Sequence, residues 1–370
     1  MSETLKSGQG AVWGRRADLQ GMRAVAVLVV FANHLFDWPS GGFVGVDIFF
    51  VLSGFFITGI LIRERTTTRK LSFQNFYIRR VKRILPSALL VLVVTVIGSY
   101  FLFTTVRAKA TLLDALYAAV FASNFRFEAV GADYFQRGQP PSPLQHYWSL
   151  SIEEQFYFVW PALLVLIFAV TRRFRRKGRR SAGLWGLLAG MSVVVGASFA
   201  WAMFLSVDDP NRAYFSSFTR IWELGVGALV AIAGPWLIRL PAAIRPLLAY
   251  VGLAGVLLSL FVIDSAVQFP APWAALPVLS TALMAASFHG AAVHSMFPLT
   301  NVVARWFGDT SYTLYLWHWP VIQLLTSIVA KGAVFYGLAM ALSLGLTAIT
   351  YHFYENPIRH SRWLLDQPTT

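Results

Sequence analysis

The fold of this chain is decided by its first apolar segment, residues 21–34, which read GMRAVAVLVVFANH. Arg23 and His34 are eleven positions apart, so a helix brings both side chains to one face, roughly 16 Å apart along its axis. A charge at the centre of a membrane span costs about 2.5–3.5 kcal/mol. An arginine and a histidine on one stripe of such a span therefore indicate a functional site. The structural alternatives are an arginine that reaches back to the membrane surface and a packed histidine.

The composition of the chain is typical of multi-pass membrane proteins. Its 370 residues are 56% hydrophobic and 13% charged, whereas a soluble domain carries about 25% charged residues. A net charge of +14 would suggest nucleic-acid binding in a soluble protein, but its distribution across the membrane explains it, so we expect no nucleic-acid partner. The absence of cysteine excludes disulfides, cysteine-ligated metals and an acyl-cysteine intermediate. The sequence contains no metal-ligand, P-loop or dinucleotide motif, and no metal site is predicted.

Ten apolar segments approach the length of about 20 residues that is needed to cross the hydrocarbon of a membrane. They lie near residues 21–38, 43–62, 84–104, 148–170, 183–205, 214–234, 247–263, 273–289, 310–329 and 334–354. With the N-terminus inside the cell, most of the 31 Lys and Arg residues fall on the cytoplasmic side, in agreement with the positive-inside rule. The sequence therefore predicts an all-α polytopic membrane protein with about ten transmembrane helices and with both termini in the cytoplasm. The apolar stretch 111–125 is too short for an eleventh span, and we interpret it as a re-entrant or interfacial helix.

The turn between the first two spans brings a carboxylate toward His34. Glycines at positions 41, 42 and 45 permit a tight turn, which places Asp47 on the helix next to His34. An aspartate beside a histidine can fix its tautomer and raise its basicity. Asp47 can equally be interpreted as a local helix cap.

A basic cluster precedes the third span. Arg80 and Arg83 share one helix face because they are three residues apart. A pair of guanidinium groups on one face suits a phosphate-rich ligand. The alternative is a cluster that sets the topology and binds lipid headgroups, and the spacing alone favours this alternative.

Several other polar side chains within apolar spans are candidate site residues. Glu153 and Glu154 open the fourth span; Glu153 is expected to point inward, and Glu154, near the helix N-terminus, toward water. Arg220 and Glu223 can form a buried ion pair at spacing i, i+3, with either a structural or a functional role. His318 lies among aromatic residues and is either a site residue or a packing histidine.

The chain resembles the membrane-bound acyltransferase 3 family, which includes the O-acyltransferases of O-antigen and other cell-envelope glycans. The resemblance extends from about Arg16 to Pro357 and is specific because five stretches follow one another in the family's order. They are residues 18–23 (DLQGMR) with His34 eleven residues after Arg23; residues 42–55 (GFVGVDIFFVLSGF); Phe76-Tyr77 followed by Arg80, Arg83 and Pro86; residues 148–157 (WSLSIEEQFY); and residues 311–320 (SYTLYLWHWP), closing with residues 354–357 (YENP).

The resemblance implies an enzyme of the bacterial cytoplasmic (inner) membrane. Such an enzyme takes an acyl group from cytoplasmic acyl-CoA, with acetyl-CoA as the expected donor, and passes it to a hydroxyl of an extracytoplasmic cell-envelope glycan or glycolipid. Arg23 and His34 match the family's Arg/Lys-x10-His pair, and Arg80 and Arg83 match its Arg-x-x-Arg pair. In this context, Arg80 and Arg83 are assigned to the phosphates of CoA.

The chemistry implied by the family agrees with the residues present. Transfer of an acyl group from a thioester to an alcohol needs a base for the hydroxyl or a nucleophile that holds the acyl group. In a chain without cysteine, His34 is the candidate for either role, oriented by Asp47 or Glu153. Arg23 can attract the pantetheine carbonyls or the pyrophosphate of CoA.

The expected organisation is a transmembrane domain, residues 21–357, between a cytoplasmic segment 1–20 and a cytoplasmic tail 358–370. Many relatives carry a periplasmic SGNH hydrolase-like domain after a further span, whereas this chain stops soon after Pro357. We therefore expect a stand-alone transferase or a truncated membrane domain, with membrane lipids and an SGNH-type domain or protein as partners. The alternative function is a transporter or flippase of a lipid-linked sugar. Two features favour the transferase. The arginine pair lies in line with a histidine, and the two halves of the sequence show no matching pair of spans interrupted by Gly or Pro.

Overall fold

A computed structural model of the chain describes residues 16–68, 71–131, 140–173, 181–291 and 296–361, and within these ranges every regular element is helical. The predicted all-α fold is thus confirmed. The helices are α1 (Ala17–Phe36), α2 (Gly45–Thr68), α3 (Phe73–Leu102), α4 (Thr105–Ala119), α5 (Ser123–Ala129), α6 (Tyr147–Arg173), α7 (Ser181–Asp208), α8 (Pro210–Phe215), α9 (Ile221–Ile232), α10 (Gly234–Leu237), α11 (Arg245–Val262), α12 (Ala275–Ser287), α13 (Val302–Leu325), α14 (Ala333–Thr350) and α15 (Asn356–His360). A π-helical segment, Tyr351–Glu355, joins α14 to α15.

Seven segments of the described chain are long and apolar enough to cross a membrane. They are Ala17–Phe36, Gly42–Thr68, Phe73–Leu102, Tyr147–Ile167, Leu184–Asp208, Ala242–Val262 and Ala333–His360. Two further apolar helices, α9 and α12, are shorter. Each of the ten predicted spans overlaps a helix, so a multi-pass membrane protein is supported. The count of ten spans and the cytoplasmic position of both termini remain predictions.

The helices differ in extent from several of the apolar segments that the sequence marks as spans. Helix α3 begins at Phe73, eleven residues before the predicted span, because the Ser72 side chain accepts a hydrogen bond from the backbone N–H of Asn75. The sixth predicted span, 214–234, contains only the twelve residues of α9, preceded by the separate short helix α8. The stretch 111–125 falls on two helices, α4 and α5, between which Phe121 has a φ of 54°. Residues 1–15, 174–180 and 362–370, which include most of the predicted cytoplasmic segments, lie outside the described residues.

Helices α1 and α13 lie side by side and run in the same direction. Three hydrogen bonds connect them in order: Gln20 to Asp309, Arg23 to Ser311, and His34 to His318. Helix α2 returns from α1 through a tight turn and runs parallel to α6, since Ser53 contacts Glu153 and Thr58 contacts Trp160. The pair α1/α13 therefore runs opposite to the pair α2/α6, and the two ends of the bundle carry different side chains.

Two glycines allow helices α2 and α9 to pack backbone against backbone. A Cβ atom at Gly54 would lie 1.8 Å from the carbonyl oxygen of Leu224, and one at Gly227 would lie 1.9 Å from that of Val51. Small residues at such contacts let membrane helices approach closely. This contact holds the N-terminal half of α2 in register with α9.

Candidate active site

A cavity of about 360 Å³ opens at the end of the bundle where α1, α3 and α13 begin, which we call the arginine end. Helices α1, α2, α3, α6 and α13 supply most of its walls. Six arginines line it: Arg16, Arg23, Arg63, Arg80, Arg83 and Arg359. All three arginines that the sequence predicted for a donor site, Arg23, Arg80 and Arg83, are thus brought into one cavity from two different helices.

Five of these six arginines have no salt bridge to a carboxylate within the described part of the chain. Only Arg16 forms one, to Asp18 at 2.6 Å, and it also donates to the backbone carbonyls of Met284 and Ala285. The guanidinium of Arg80 lies over the ring of Tyr157, 4.9 Å from its centroid. A cavity with this many cations that lack ion-pair partners is suited to an anionic ligand with several charges, because guanidinium groups bind phosphate in a forked geometry.

Two of the carboxylates that line the cavity accept hydrogen bonds from neutral donors. Glu153 accepts from the hydroxyls of Ser53 and Tyr157, and Glu355 accepts from Thr313. The Oε1 atom of Glu154 is buried and has no hydrogen-bond partner among the described residues. Both Glu153 and Glu154 line the cavity, and the buried Oε1 atom of Glu154 does not agree with the water-facing position expected for this side chain.

A cluster of three histidines lies toward the opposite end of the bundle, which we call the histidine end. His34 Nδ1 is 2.9 Å from His318 Nε2, and the ring of His146 lies 5.6 Å from that of His318, in an edge-on arrangement. His318 is fully buried, whereas His34 is half-buried and packs against Trp319, with ring centroids 4.5 Å apart. His318 is thus packed in the bundle and also contacts the candidate catalytic residue His34; a role in the site stays a prediction.

The histidine cluster is separated from the arginine-lined cavity by a polar contact. The hydroxyls of Tyr315 and Ser149 lie 2.6 Å apart, and both residues line the cavity, whereas His34 is not among its lining residues. One turn further along α13, His318 bonds to the backbone carbonyl of Tyr315. Arg23 and His34 lie on one face of α1, so this helix links the arginine-lined cavity to the histidine cluster.

Asp47 lies in a buried ionic triad with Arg220 and Glu223. Nη1 of Arg220 is 3.0 Å from the Asp47 carboxylate and 2.9 Å from that of Glu223, and all three side chains are about 1% exposed or less. The predicted Arg220–Glu223 pair is observed. The expectation that Asp47 orients His34 is not met: the carboxylate binds Arg220 instead, because a buried guanidinium is stable only with charge compensation.

The aromatic surroundings of Arg220 indicate that the triad is structural. Its guanidinium lies 5.3 Å from the ring centroid of Trp148 and 4.9 Å from those of Tyr214 and Phe269. None of the three charged residues lines the arginine-lined cavity. We therefore assign the triad to the joining of α2 and α9.

The structure adds residues to the site that sequence reasoning did not select. His146 lies two residues before the stretch 148–157 that contains Glu153, but nothing in its spacing linked it to His318, which is 172 positions further along the chain. Arg63 and Arg359 lie at the ends of helices and resemble ordinary flanking cations in the sequence. Only the tertiary arrangement reveals that they share one cavity with Arg80.

Comparison with known protein families identifies the class of this chain. The family model described as an acyltransferase domain matches residues 16–352, and the chain belongs to this acyltransferase 3 family. The predicted family is thereby confirmed over nearly the whole length of the chain.

Curated relatives are similar over more than nine-tenths of this chain. Peptidoglycan O-acetyltransferase OatA of Listeria monocytogenes is 32% identical over 362 residues, which are 94% of this chain and 56% of the relative. YrhL of Bacillus subtilis, named provisionally as a peptidoglycan O-acetyltransferase, is 36% identical over 92% of this chain and 54% of its own length. The chain thus spans about half the length of these relatives. A comparison with solved structures found no match.

Loss of the Arg220 side chain is expected to destabilise the protein strongly. The Arg220→Ala variant leaves the carboxylates of Asp47 and Glu223 buried without compensation, a change that typically costs about 3–5 kcal/mol. The matched control is Arg212→Ala, which removes an exposed ion pair to Glu128 and is expected to cost about 1 kcal/mol or less. Unfolding of the two variants in detergent measures the difference. Equal stability of both variants would contradict the structural role of the triad.

Proposed function

We propose that this protein is a membrane O-acyltransferase that moves an acetyl group from acetyl-CoA to a hydroxyl of a cell-envelope glycan or glycolipid. The observation that carries the proposal is the arginine-lined cavity, in which Arg23, Arg63, Arg80, Arg83 and Arg359 have no salt-bridge partner among the described residues. Family membership supports acyl transfer as the reaction. It also favours a transferase over the transporter of lipid-linked sugars, which has no such support.

The donor is assigned from the charges of the cavity. The head of CoA carries a pyrophosphate and a further phosphate, and multiple guanidinium groups are the side chains best suited to bind them. Arg63 and Arg359 are exposed, whereas Arg23, Arg80 and Arg83 are half-buried. We infer that the nucleotide binds near the mouth and that the pantetheine arm extends past Arg23 toward the histidine end.

His34 is the proposed acid–base residue. In the direct route, its Nε2 takes the proton of the acceptor hydroxyl while the oxygen attacks the thioester carbonyl; the C–O bond forms, the C–S bond breaks, and the CoA thiolate recovers the proton from the imidazolium. In the relay route, Nε2 attacks the thioester first, the C–N bond forms and the C–S bond breaks with release of the CoA thiolate; the acceptor hydroxyl then attacks the acetyl-imidazole, the C–O bond forms, the C–N bond breaks, and the hydroxyl proton goes to the thiolate. Both routes need a lone pair on Nε2.

The acceptor is proposed from the relatives. Two of them are named as peptidoglycan O-acetyltransferases, which supports a hydroxyl of a cell-wall glycan on the outer side of a bacterial cytoplasmic membrane. In this proposal, the arginine end faces the cytoplasm, where acyl-CoA is present, and the histidine end faces outward. An SGNH-type domain or partner protein would receive or deliver the acyl group beyond the membrane.

Replacement of His34 is expected to abolish transfer. Membranes that contain the protein are supplied with radiolabelled acetyl-CoA and glycan acceptors, and transferred label and released CoA thiol are measured. His34→Ala should lower turnover by about 10²-fold or more, while the exposed His352→Ala control keeps wild-type turnover. Wild-type transfer by a folded His34→Ala variant would contradict the mechanism, and absence of any transfer by the wild type would contradict the function.

The arginine pair is expected to act on donor binding. In the Arg80→Ala/Arg83→Ala double variant, the KM for acetyl-CoA should rise at least about tenfold, because each charge-assisted hydrogen bond contributes roughly 1.5–3 kcal/mol. Turnover at saturating donor should be largely kept. Arg79→Ala is the control, since Arg79 is next in sequence but pairs loosely with Glu64 outside the cavity. A turnover defect with an unchanged KM would contradict the assignment.

The proposed orientation can be tested by labelling single cysteines in the cysteine-free chain. Thr67 is exposed at the arginine end of α2, and Lys331 is exposed near Asp37 at the histidine end. An impermeant thiol reagent should reach Thr67→Cys from the cytoplasm and Lys331→Cys from outside. Two results would contradict transfer across the membrane: labelling of both cysteines from the same side, or labelling of Thr67→Cys from outside and Lys331→Cys from the cytoplasm.

A further inference from the structure

We propose that the side-chain hydroxyl of Tyr315 is a catalytic group that donates a hydrogen bond to the thioester carbonyl oxygen of the acyl donor. The proposal rests on the acyl-transfer function above and deepens it, because it names a group that stabilises the negative charge formed on that oxygen. Two observations carry it: the position of Tyr315 between the arginine-lined cavity and the histidine cluster, and the contacts of its hydroxyl.

Tyr315 lies on α13 between the partners of Arg23 and His34. Ser311, four residues earlier, accepts a hydrogen bond from Arg23. His318, three residues later, contacts His34. Because a helix rises about 1.5 Å per residue, Tyr315 lies roughly 6 Å beyond the first partner and roughly 4.5 Å before the second. A donor whose phosphates bind the arginines and whose acetyl group reaches His34 therefore passes this point.

The hydroxyl of Tyr315 belongs to a small polar group at the boundary of the cavity. It lies 2.6 Å from the hydroxyl of Ser149 and 3.1 Å from the backbone carbonyl oxygen of His146. Both Tyr315 and Ser149 line the cavity. The ring of Tyr315 packs against those of His146 and His318, with centroids 5.5 and 5.4 Å apart. One side chain thus contacts the cavity and the histidines at the same time.

The hydroxyl of Tyr315 can change its acceptor without a movement of the ring. A phenolic hydroxyl turns about its C–O bond, so a thioester oxygen that arrives from the cavity can take the place of Ser149. The hydroxyl of Ser149 also lies 3.2 Å from the His146 carbonyl oxygen and donates to it. The exchange therefore leaves both Ser149 and this carbonyl with a hydrogen bond, and the cost of a buried group without a partner is avoided.

The transfer step creates the charge that this hydrogen bond stabilises. When the attacking atom bonds to the thioester carbon, the π electron pair of the C=O bond moves onto the oxygen, which becomes an oxyanion. The pair then forms the C=O bond again, the C–S bond breaks, and the CoA thiolate leaves, while the proton of the acceptor hydroxyl follows the course given above for each route. Tyr315 keeps its hydrogen throughout. Because hydrogen bonds to ionised acceptors are stronger than neutral ones, the bond stabilises the transition state more than the bound donor.

A neutral hydrogen-bond donor suits this position better than an arginine. A guanidinium group close to the thioester would stabilise the oxyanion, but it would also oppose the positive charge proposed for His34 in the same step. A hydroxyl has no net charge, so it stabilises the oxygen without that repulsion. The arginines can then act on the phosphates of the donor, and Tyr315 on its reacting carbonyl.

The test compares three variants that each remove one buried hydroxyl. Tyr315→Phe removes the proposed hydrogen-bond donor and keeps the ring, and Ser149→Ala removes its neighbour. Tyr147→Phe is the control, because the hydroxyl of Tyr147 donates to the backbone carbonyl of Ala88 at 2.9 Å and Tyr147 does not line the cavity. We expect turnover to fall about 10²–10³-fold in Tyr315→Phe, to stay within about tenfold of wild type in Ser149→Ala, and to be unchanged in Tyr147→Phe. The KM for acetyl-CoA should be unchanged in all three.

A second measurement detects the hydrogen bond without relying on turnover. Acetyl-CoA with ¹³C at the thioester carbonyl is bound to the His34→Ala protein, which is expected to leave it intact, and the C=O stretching band is recorded by infrared difference against the ¹²C donor. A hydrogen bond lowers the frequency of a carbonyl stretch. The band should therefore move to higher frequency when Tyr315→Phe is added and stay in place when Tyr147→Phe is added.

A third measurement does not depend on the folding of the Phe variant. Incorporation of 3-fluorotyrosine in place of Tyr315 keeps the ring and the hydroxyl and makes the hydroxyl a stronger hydrogen-bond donor. The carbonyl band of the bound ¹³C donor should then move to lower frequency. A band that neither 3-fluorotyrosine nor Tyr315→Phe moves would overturn the inference.

The turnover measurements separate this inference from the proposed function. Wild-type turnover by a folded Tyr315→Phe variant, alongside an inactive His34→Ala, would overturn the role of Tyr315 alone. Equal losses in Tyr315→Phe and Ser149→Ala would do so as well, because they would indicate that the hydroxyl pair only holds α6 against α13. Absence of any transfer by the wild-type protein would instead overturn the proposed function.

Discussion

A charge that lies inside an apolar helical bundle must be compensated, and the structure depends on how each buried arginine meets this requirement. Arg220 is compensated within the protein by Asp47 and Glu223. Arg23, Arg80 and Arg83 have no carboxylate in salt-bridge contact among the described residues, although they are half-buried. The ion pairs of Arg220 join two helices. The three cavity arginines can instead bind an anionic ligand, because their charges are not neutralised by a carboxylate in the described part of the chain. Arg245 shows a third arrangement, because its buried guanidinium donates to backbone carbonyls and not to a carboxylate.

The parallel contact of α1 and α13 sets the geometry of the site. Its three side-chain contacts occur at the mouth of the cavity, beside Arg23, and at His34. The contacts follow the same order on the two helices but span fourteen residues on α1, from Gln20 to His34, and nine on α13, from Asp309 to His318. The glycine contacts support this arrangement, since a Cβ atom at Gly308 would lie 2.1 Å from the backbone oxygen of Gln20. The helices are closest where the cavity begins.

Sequence patterns predicted the features of this protein that depend on residues close together in the chain. Apolar segments of sufficient length fell on helices, and the i, i+3 pairs Arg80/Arg83 and Arg220/Glu223 share faces because helix geometry fixes such spacings. The partner of Asp47 could not be predicted in this way, because Arg220 is 173 positions away and the two meet only through the packing of α2 on α9. The same applies to His146 and to Arg359. Helix α3 begins at Phe73, in a polar stretch ahead of the span predicted at 84–104, and is capped there by Ser72; the search for apolar segments does not detect a helix start of this kind.

The distance between the arginines and His34 has an electrostatic reason. In the proposed transfer step, the imidazole of His34 becomes positively charged, and guanidinium groups close to it would oppose that charge. At an effective dielectric constant of 20, two unit charges 4 Å apart repel by about 4 kcal/mol, whereas at roughly 16 Å the repulsion falls to about 1 kcal/mol. If the cavity binds the donor phosphates as proposed, its five arginines that lack a salt bridge among the described residues would therefore oppose the protonation of a base placed among them. A donor with a long arm between its phosphates and its thioester allows both requirements to be met, and the eleven-residue spacing of Arg23 and His34 provides the separation.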